Sequence, residues 1–111
     1  MDTLKKYKLP RSLRVHVEKG VSGALLAELS DLNVYTQSDS LNDLFEQIND
    51  LIYEYYNIPK KVQENVRFIP TRFAQYELLR IEKSEVKVNK EVQVNQFVLS
   101  SLHSSVTHGF A

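Results

Sequence analysis

Between positions 41 and 55 apolar side chains return every three or four residues: Leu41, Leu44, Phe45, Ile48, Leu51, Ile52 and Tyr55. That period puts them on one stripe of an α-helix. Asn42, Asp43, Glu46, Gln47, Asn49, Asp50 and Glu54 take the opposite face. A helix with one apolar stripe needs a surface to cover, and the preceding residues supply it. Residues 13–17 (L-R-V-H-V) alternate apolar and polar, as a half-buried strand does. Residues 24–29 read as a second, more apolar strand, and residues 34–37 as a short third one. Gly20 and Gly23 mark the turn of a hairpin between the first two. Ser30-Asp31-Leu32-Asn33 is a turn cluster. Ser38-Asp39-Ser40 opens the helix, where a Ser or Asp side chain, Asp39 among them, can cap its free N–H groups. Asp43 adds negative charge at the positive end of the helix dipole. Pro59 disfavours helix at Ile58, so the helix should stop near Asn57.

Beyond Pro59 the pattern is less decisive. Val66-Arg67-Phe68-Ile69 reads as a fourth strand stopped by Pro70, and residues 72–83 have helical composition. Val86, Val88, Val92 and Val94 alternate with polar residues, which suggests strands around Asn89-Lys90. Phe97, Val98, Leu99 and Leu102 fit a terminal helix through His103, so helix and strand both stay open over 86–102. The expected fold class is α+β: an antiparallel three- to four-stranded sheet packed by one main helix, with a C-terminal extension. The expected organisation is a basic arm over 1–11, a β-β-β-α-β domain over 12–70, and an extension over 71–111. A chain of 111 residues suits one small core.

The formal net charge is zero, but charge is segregated. Residues 1–19 carry six basic and two acidic side chains. Residues 20–58 carry seven acidic side chains and no Lys or Arg. Residues 59–111 carry eight basic and five acidic side chains. Fields of this kind act on association and partner choice rather than on fold. The absence of cysteine excludes disulfides and thiolate metal sites. No apolar run approaches the roughly 18 residues of a membrane span, and the basic start lacks the apolar stretch of a secretory signal. No membrane association and a cytoplasmic home are expected.

The stretch V-E-K-G-V-S-G-A-L-L-A-E-L-S-D-L-N-V-Y-T-Q-S-D-S-L-N-D-L resembles the HicB family of type II antitoxins. Asp31-Leu32, Thr36-Gln37 and Asp39-Ser40-Leu41 match that family's acidic-Leu turn and helix start in register. Ser30, Asn33-Val34 and Ser38 depart from its usual Pro, Pro-Gly and Gly. The resemblance implies a degraded ribonuclease-H-like β-β-β-α-β fold without catalysis. It implies a partner, a small basic HicA-like ribonuclease toxin, and it implies operator DNA as a further partner through a C-terminal module. Residues 92–102 resemble the second helix of a ribbon-helix-helix unit, with residues 66–69 as the ribbon and 72–88 as the first helix.

No catalytic, cofactor or metal site is expected. Two-metal hydrolysis needs converging carboxylates, whereas Glu18 and Glu28 lie on strands and Asp31 and Asp39 on turns. His16 alternates with Val15 and Val17, and His103 and His108 stand in the tail; neither arrangement makes a metal site alone. No nucleophile elbow and no Gly-rich phosphate loop are present. The partner-binding candidates are Glu46, Asp50 and Glu54 on the acidic helix face. The DNA-contact candidates are Arg67 and Arg72, with Lys5, Lys6, Lys8 and Arg11 as a mobile basic arm. Tyr53, Tyr55 and Tyr56 cluster at the helix end, where amphipathic aromatics suit a contact. With an open sheet edge, they point to a homodimer or higher oligomer.

Overall fold

A computed structural model describes residues 6–20, 22–84 and 88–98. The elements are β1 (Ser12–Lys19), β2 (Leu25–Leu29), β3 (Val34–Ser38), α1 (Leu41–Tyr55), α2 (Lys60–Gln63), β4 (Val66–Pro70), α3 (Arg72–Lys83) and β5 (Asn89–Val98). The class is α+β as expected. Among the described residues there is one antiparallel sheet of five strands, not three or four, in the order β3-β2-β1-β5-β4.

The hairpins form where turn chemistry places them. Gly23 closes the β1–β2 turn at φ +93, a conformation open to glycine. Asn33 closes the β2–β3 turn at φ 57, in the left-handed region that asparagine tolerates. Of the Ser38-Asp39-Ser40 candidates, Ser40 caps α1: its Oγ accepts from the Asp43 N–H at 3.2 Å. At the far end Asn57 turns left-handed at φ 54. The Ile58 N–H donates to the Tyr53 carbonyl at 2.8 Å and the Asn57 N–H to the Glu54 carbonyl. This is a Schellman stop with buried Ile58 as its apolar anchor.

Alternation sets which side of the sheet is covered. Leu13, Val15 and Val17 of β1, Leu25, Ala27 and Leu29 of β2, Val66 and Phe68 of β4, and Val92 and Val94 of β5 face inward. They join Leu44, Ile48 and Ile52 of α1 and Ala74, Leu78 and Ile81 of α3 in one core. Residues 71–84 and 88–98 are therefore part of the core fold and not an appendage. β5 lies between β1 and β4 and pairs with both, and α3 packs on β1, β4, β5 and α1. Among the described residues two substantial helices, α1 and α3, cover the sheet instead of one. Over 86–102, where helix and strand both stood open, residues 89–98 are strand, as the valine alternation suggests; the helix that the resemblance implies over 92–102 is not formed at 92–98, and 99–102 lie outside the described residues. Without that helix the ribbon-helix-helix arrangement is not formed.

The sheet curls until both of its edges meet α1. Thr36 on β3 donates its hydroxyl to the Gln47 side-chain oxygen. On the other edge, the side chain of Asn49 is 1% exposed and takes the place of a sixth strand. Its Oδ1 accepts from the Phe68 N–H at 2.7 Å, and its Nδ2 donates to the Phe68 carbonyl at 3.0 Å. One turn on, the Tyr53 hydroxyl donates to the Val66 carbonyl at 2.6 Å. Tyr53 is thus a core residue, not a surface contact.

α3 ties the ends together. Its Glu82 carboxylate accepts from the Leu41 N–H at the start of α1, at 2.9 Å. Lys19 Nζ donates to the carbonyls of Glu82 and Ser84 at 2.7 and 2.6 Å, placing a cation at the negative end of α3. The N-terminal segment is not a free arm where it is described. Tyr7 and Leu9 pack on the core, and Gln96 donates to the carbonyls of Arg11 and Pro10. Lys5 lies outside the described residues.

Candidate functional site

Asp43, Glu46, Asp50 and Glu54 stand on the solvent side of α1, three and four residues apart, and all four are exposed. The three sequence candidates Glu46, Asp50 and Glu54 therefore share one ridge, and Asp43 extends it. The ridge is not uniformly free. Glu46 accepts from the Arg67 guanidinium at 3.0 Å, and Asp50 shares a shallow depression with Lys60 and Arg67. Among the described residues Glu28, Asp39, Asp43, Asp50 and Glu54 make no ion pair. Asp31 is held by Arg14 at 2.8 Å. The guanidinium hydrogen bond holds the Asp31 carboxyl below its ordinary value and raises Arg14 in turn.

The ridge borders a groove of about 590 Å³ between α1, α3 and the end of β4. Leu41, Phe45, Ile69 and Leu79 form its apolar floor, and Asp43 and Glu46 its acidic rim. Ile69 and Leu79 are 40% and 43% exposed. A groove of this composition takes an amphipathic segment that presents apolar side chains downward and Lys or Arg toward the rim.

The DNA-contact candidates separate. Arg67 is occupied by Glu46. Arg72 opens α3, whose outer face carries Arg72, Phe73, Tyr76, Leu79, Arg80 and Lys83, all exposed. Phe73 and Tyr76 are 70% and 63% exposed. Among the described residues no carboxylate pairs with Arg72, Arg80 or Lys83. Sequence reading found Arg72 but missed this face. The signal was available: the aromatics recur with the basic residues at helical spacing, opposite Ala74, Leu78 and Ile81.

The uncovered sheet face is mixed, with Leu26, Tyr35 and Phe97 among charged and polar side chains. His16 lies across from Glu28 on β2 and Glu91 on β5, with Glu18 at 4.0 Å. Glu18 and Glu28 share this face, while Asp31 is engaged with Arg14 and Asp39 precedes the α1 cap. Among the described residues no three His, Asp or Glu side chains gather into a metal-holding group. His103 and His108 lie outside the described residues. Among those described, no helix is long and apolar enough to cross a membrane. Tyr55 and Tyr56 remain near the surface in an edge-to-face pair at 5.0 Å. No protein-family model, curated protein or solved structure matches the chain.

Proposed function

We propose that this chain is a cytoplasmic, antitoxin-like binding protein that neutralises a small basic ribonuclease by covering its RNA-binding surface. The observation that carries the reading is the acidic rim of Asp43 and Glu46 over an apolar groove, continued along α1 by Asp50 and Glu54. Acidic side chains steer a cationic partner, and the apolar floor holds it once docked. The protein acts by competition with RNA and performs no chemistry of its own.

The HicB-like resemblance supports the same reading. The family implies a β-β-β-α-β order; here three strands and α1 are followed by the short helix α2 before β4. One departure stands beside it: β5 separates β1 from β4. The test is a pull-down of the full chain against the product of a small basic open reading frame beside its gene. A complex at low salt that shields RNA from cleavage is expected. No complex at low salt, or no such neighbouring frame, overturns the reading.

A second reading, nucleic-acid binding, is favoured by the outer face of α3. Cations that track phosphates beside aromatics that stack on bases suit a single strand. On this reading the contact residues are Arg72, Arg80, Lys83, Phe73 and Tyr76, and Arg67 is released from that role. Self-repression of an operon follows only if the same face also holds duplex DNA.

A further inference from the structure

The two edges of the sheet are treated differently. The edge at β4 is sealed: Asn49 takes both backbone groups of Phe68 and Tyr53 takes the Val66 carbonyl. Among the described residues the edge at β3 is bare. The Ser30 N–H donates to the Arg14 carbonyl, so Ser30, Glu28 and Leu26 turn their backbone groups toward β1. Leu29, Ala27 and Leu25 then turn theirs toward β3, where they meet Val34, Thr36 and Ser38. Tyr35 and Gln37 are left pointing outward, each with a free N–H and a free carbonyl among the described residues.

Natural edges are blunted by charge, proline or a bulge. β3 has none of these: it reads V-Y-T-Q-S and pairs with β2 without interruption. Tyr35 is 66% exposed beside it.

We propose that β3 pairs antiparallel with β3 of a second copy, about a two-fold axis through Thr36, to give one continuous sheet across a homodimer. The register is self-complementary. Tyr35 falls opposite the partner's Gln37, and all four outward groups of each strand are used. Charge favours this register, because Asp39 falls opposite the partner's Asn33 and not opposite its own symmetry mate. The two Tyr35 rings become diagonal neighbours on the uncovered face, about 7–8 Å apart at the backbone and within reach of each other.

The β3 edge lies apart from the acidic face of α1. A monomer that still captures the basic protein sinks only the dimer, and a dimer that captures nothing sinks only the antitoxin reading.

Sedimentation of the full chain over a rising concentration series tests the proposal. Twice the chain mass is expected at the upper end. Gln37→Pro removes an N–H that no partner among the described residues uses, at an edge where proline is tolerated. It should leave the circular dichroism spectrum unchanged and return the protein to monomer. The chain has no cysteine, so single-cysteine variants read the register directly. Thr36→Cys meets its mate at about 4.5 Å between Cα atoms, inside disulfide range, and should cross-link on oxidation. Asp39→Cys, equally near the edge but out of register with its mate, should not. A monomer at every concentration overturns the proposal, as does a dimer indifferent to Gln37→Pro. If Gln37→Pro fails to fold, the two cysteine variants decide: cross-linking of Thr36→Cys alone supports the pairing, and any other pattern overturns it.

Discussion

Asn49 and Phe68 hold each other by two hydrogen bonds, the Asn49 side-chain oxygen taking the Phe68 N–H and its amide taking the Phe68 carbonyl. A buried side chain thus completes a β-ladder. Asn49→Leu keeps the approximate size and strands both backbone groups of Phe68. At about 1–3 kcal/mol for each unpaired buried group, a loss of roughly 2–6 kcal/mol is expected in urea unfolding. A change under about 0.5 kcal/mol, the level of an ordinary surface substitution, would show that the edge does not depend on this side chain.

This pair also marks where sequence reading stopped. Ser40, Asn57 and the Gly20–Gly23 turn act through neighbours in the chain, so the hairpin and the helix were legible. Helical period places Asn49 opposite the apolar stripe, with Glu46 and Asp50. Its burial comes from β4 curling against α1, a contact made 19 residues away. The place of β5 was hidden for the same reason. Valine alternation identifies a strand, but nothing local says that it will sit between β1 and β4. The acidic ridge was legible because it is a property of one helix. The groove beside it was not, because Ile69 and Leu79 come from later elements.

Burial pushes the Tyr53 hydroxyl above the ordinary tyrosine value. A folded-state pKa raised above the unfolded one gives stability that is complete below about pH 10 and lost as pH rises through the folded value. Wild-type protein should show an alkaline unfolding limb. Tyr53→Phe should flatten that limb and cost about 1–3 kcal/mol at neutral pH by leaving the Val66 carbonyl unpaired. An identical alkaline limb in both proteins would contradict the assignment.

Asp31 behaves in the opposite sense. Its carboxyl is held low by Arg14, so its contribution is present above the ordinary carboxylate range and fades as pH falls through the lowered value. Both side chains are solvent-exposed, so the effect is modest. Melting midpoints of Asp31→Asn and wild type should differ at neutral pH and converge in acid. A constant difference across the whole range would rule out the ion pair as its source.

The outer face of α3 predicts a separation of stability from binding. Phe73→Ala and Tyr76→Ala remove exposed rings, so melting should move little. If α3 holds single strands, fluorescence anisotropy with a labelled single-stranded oligonucleotide should show binding that falls with either change. Binding should also weaken steeply with salt, and Arg80→Ala should reduce that salt slope. Arg67→Ala should leave it unaltered, since that guanidinium is already engaged by Glu46. Loss with Arg67→Ala and none with Tyr76→Ala would move the site to β4.

The central claim is that the acidic rim and ridge of α1 seat a small basic ribonuclease. Calorimetric titration of the adjacent gene's basic product into wild type and into Asp43→Asn/Asp50→Asn/Glu54→Gln tests it most directly. All three changes are on exposed side chains, so the fold should persist. The account predicts a complex with wild type that weakens as salt rises, and at least tenfold weaker binding to the triple variant, about 1.4 kcal/mol. Equal affinity for the two proteins, or no heat of binding to wild type at low salt, would contradict it.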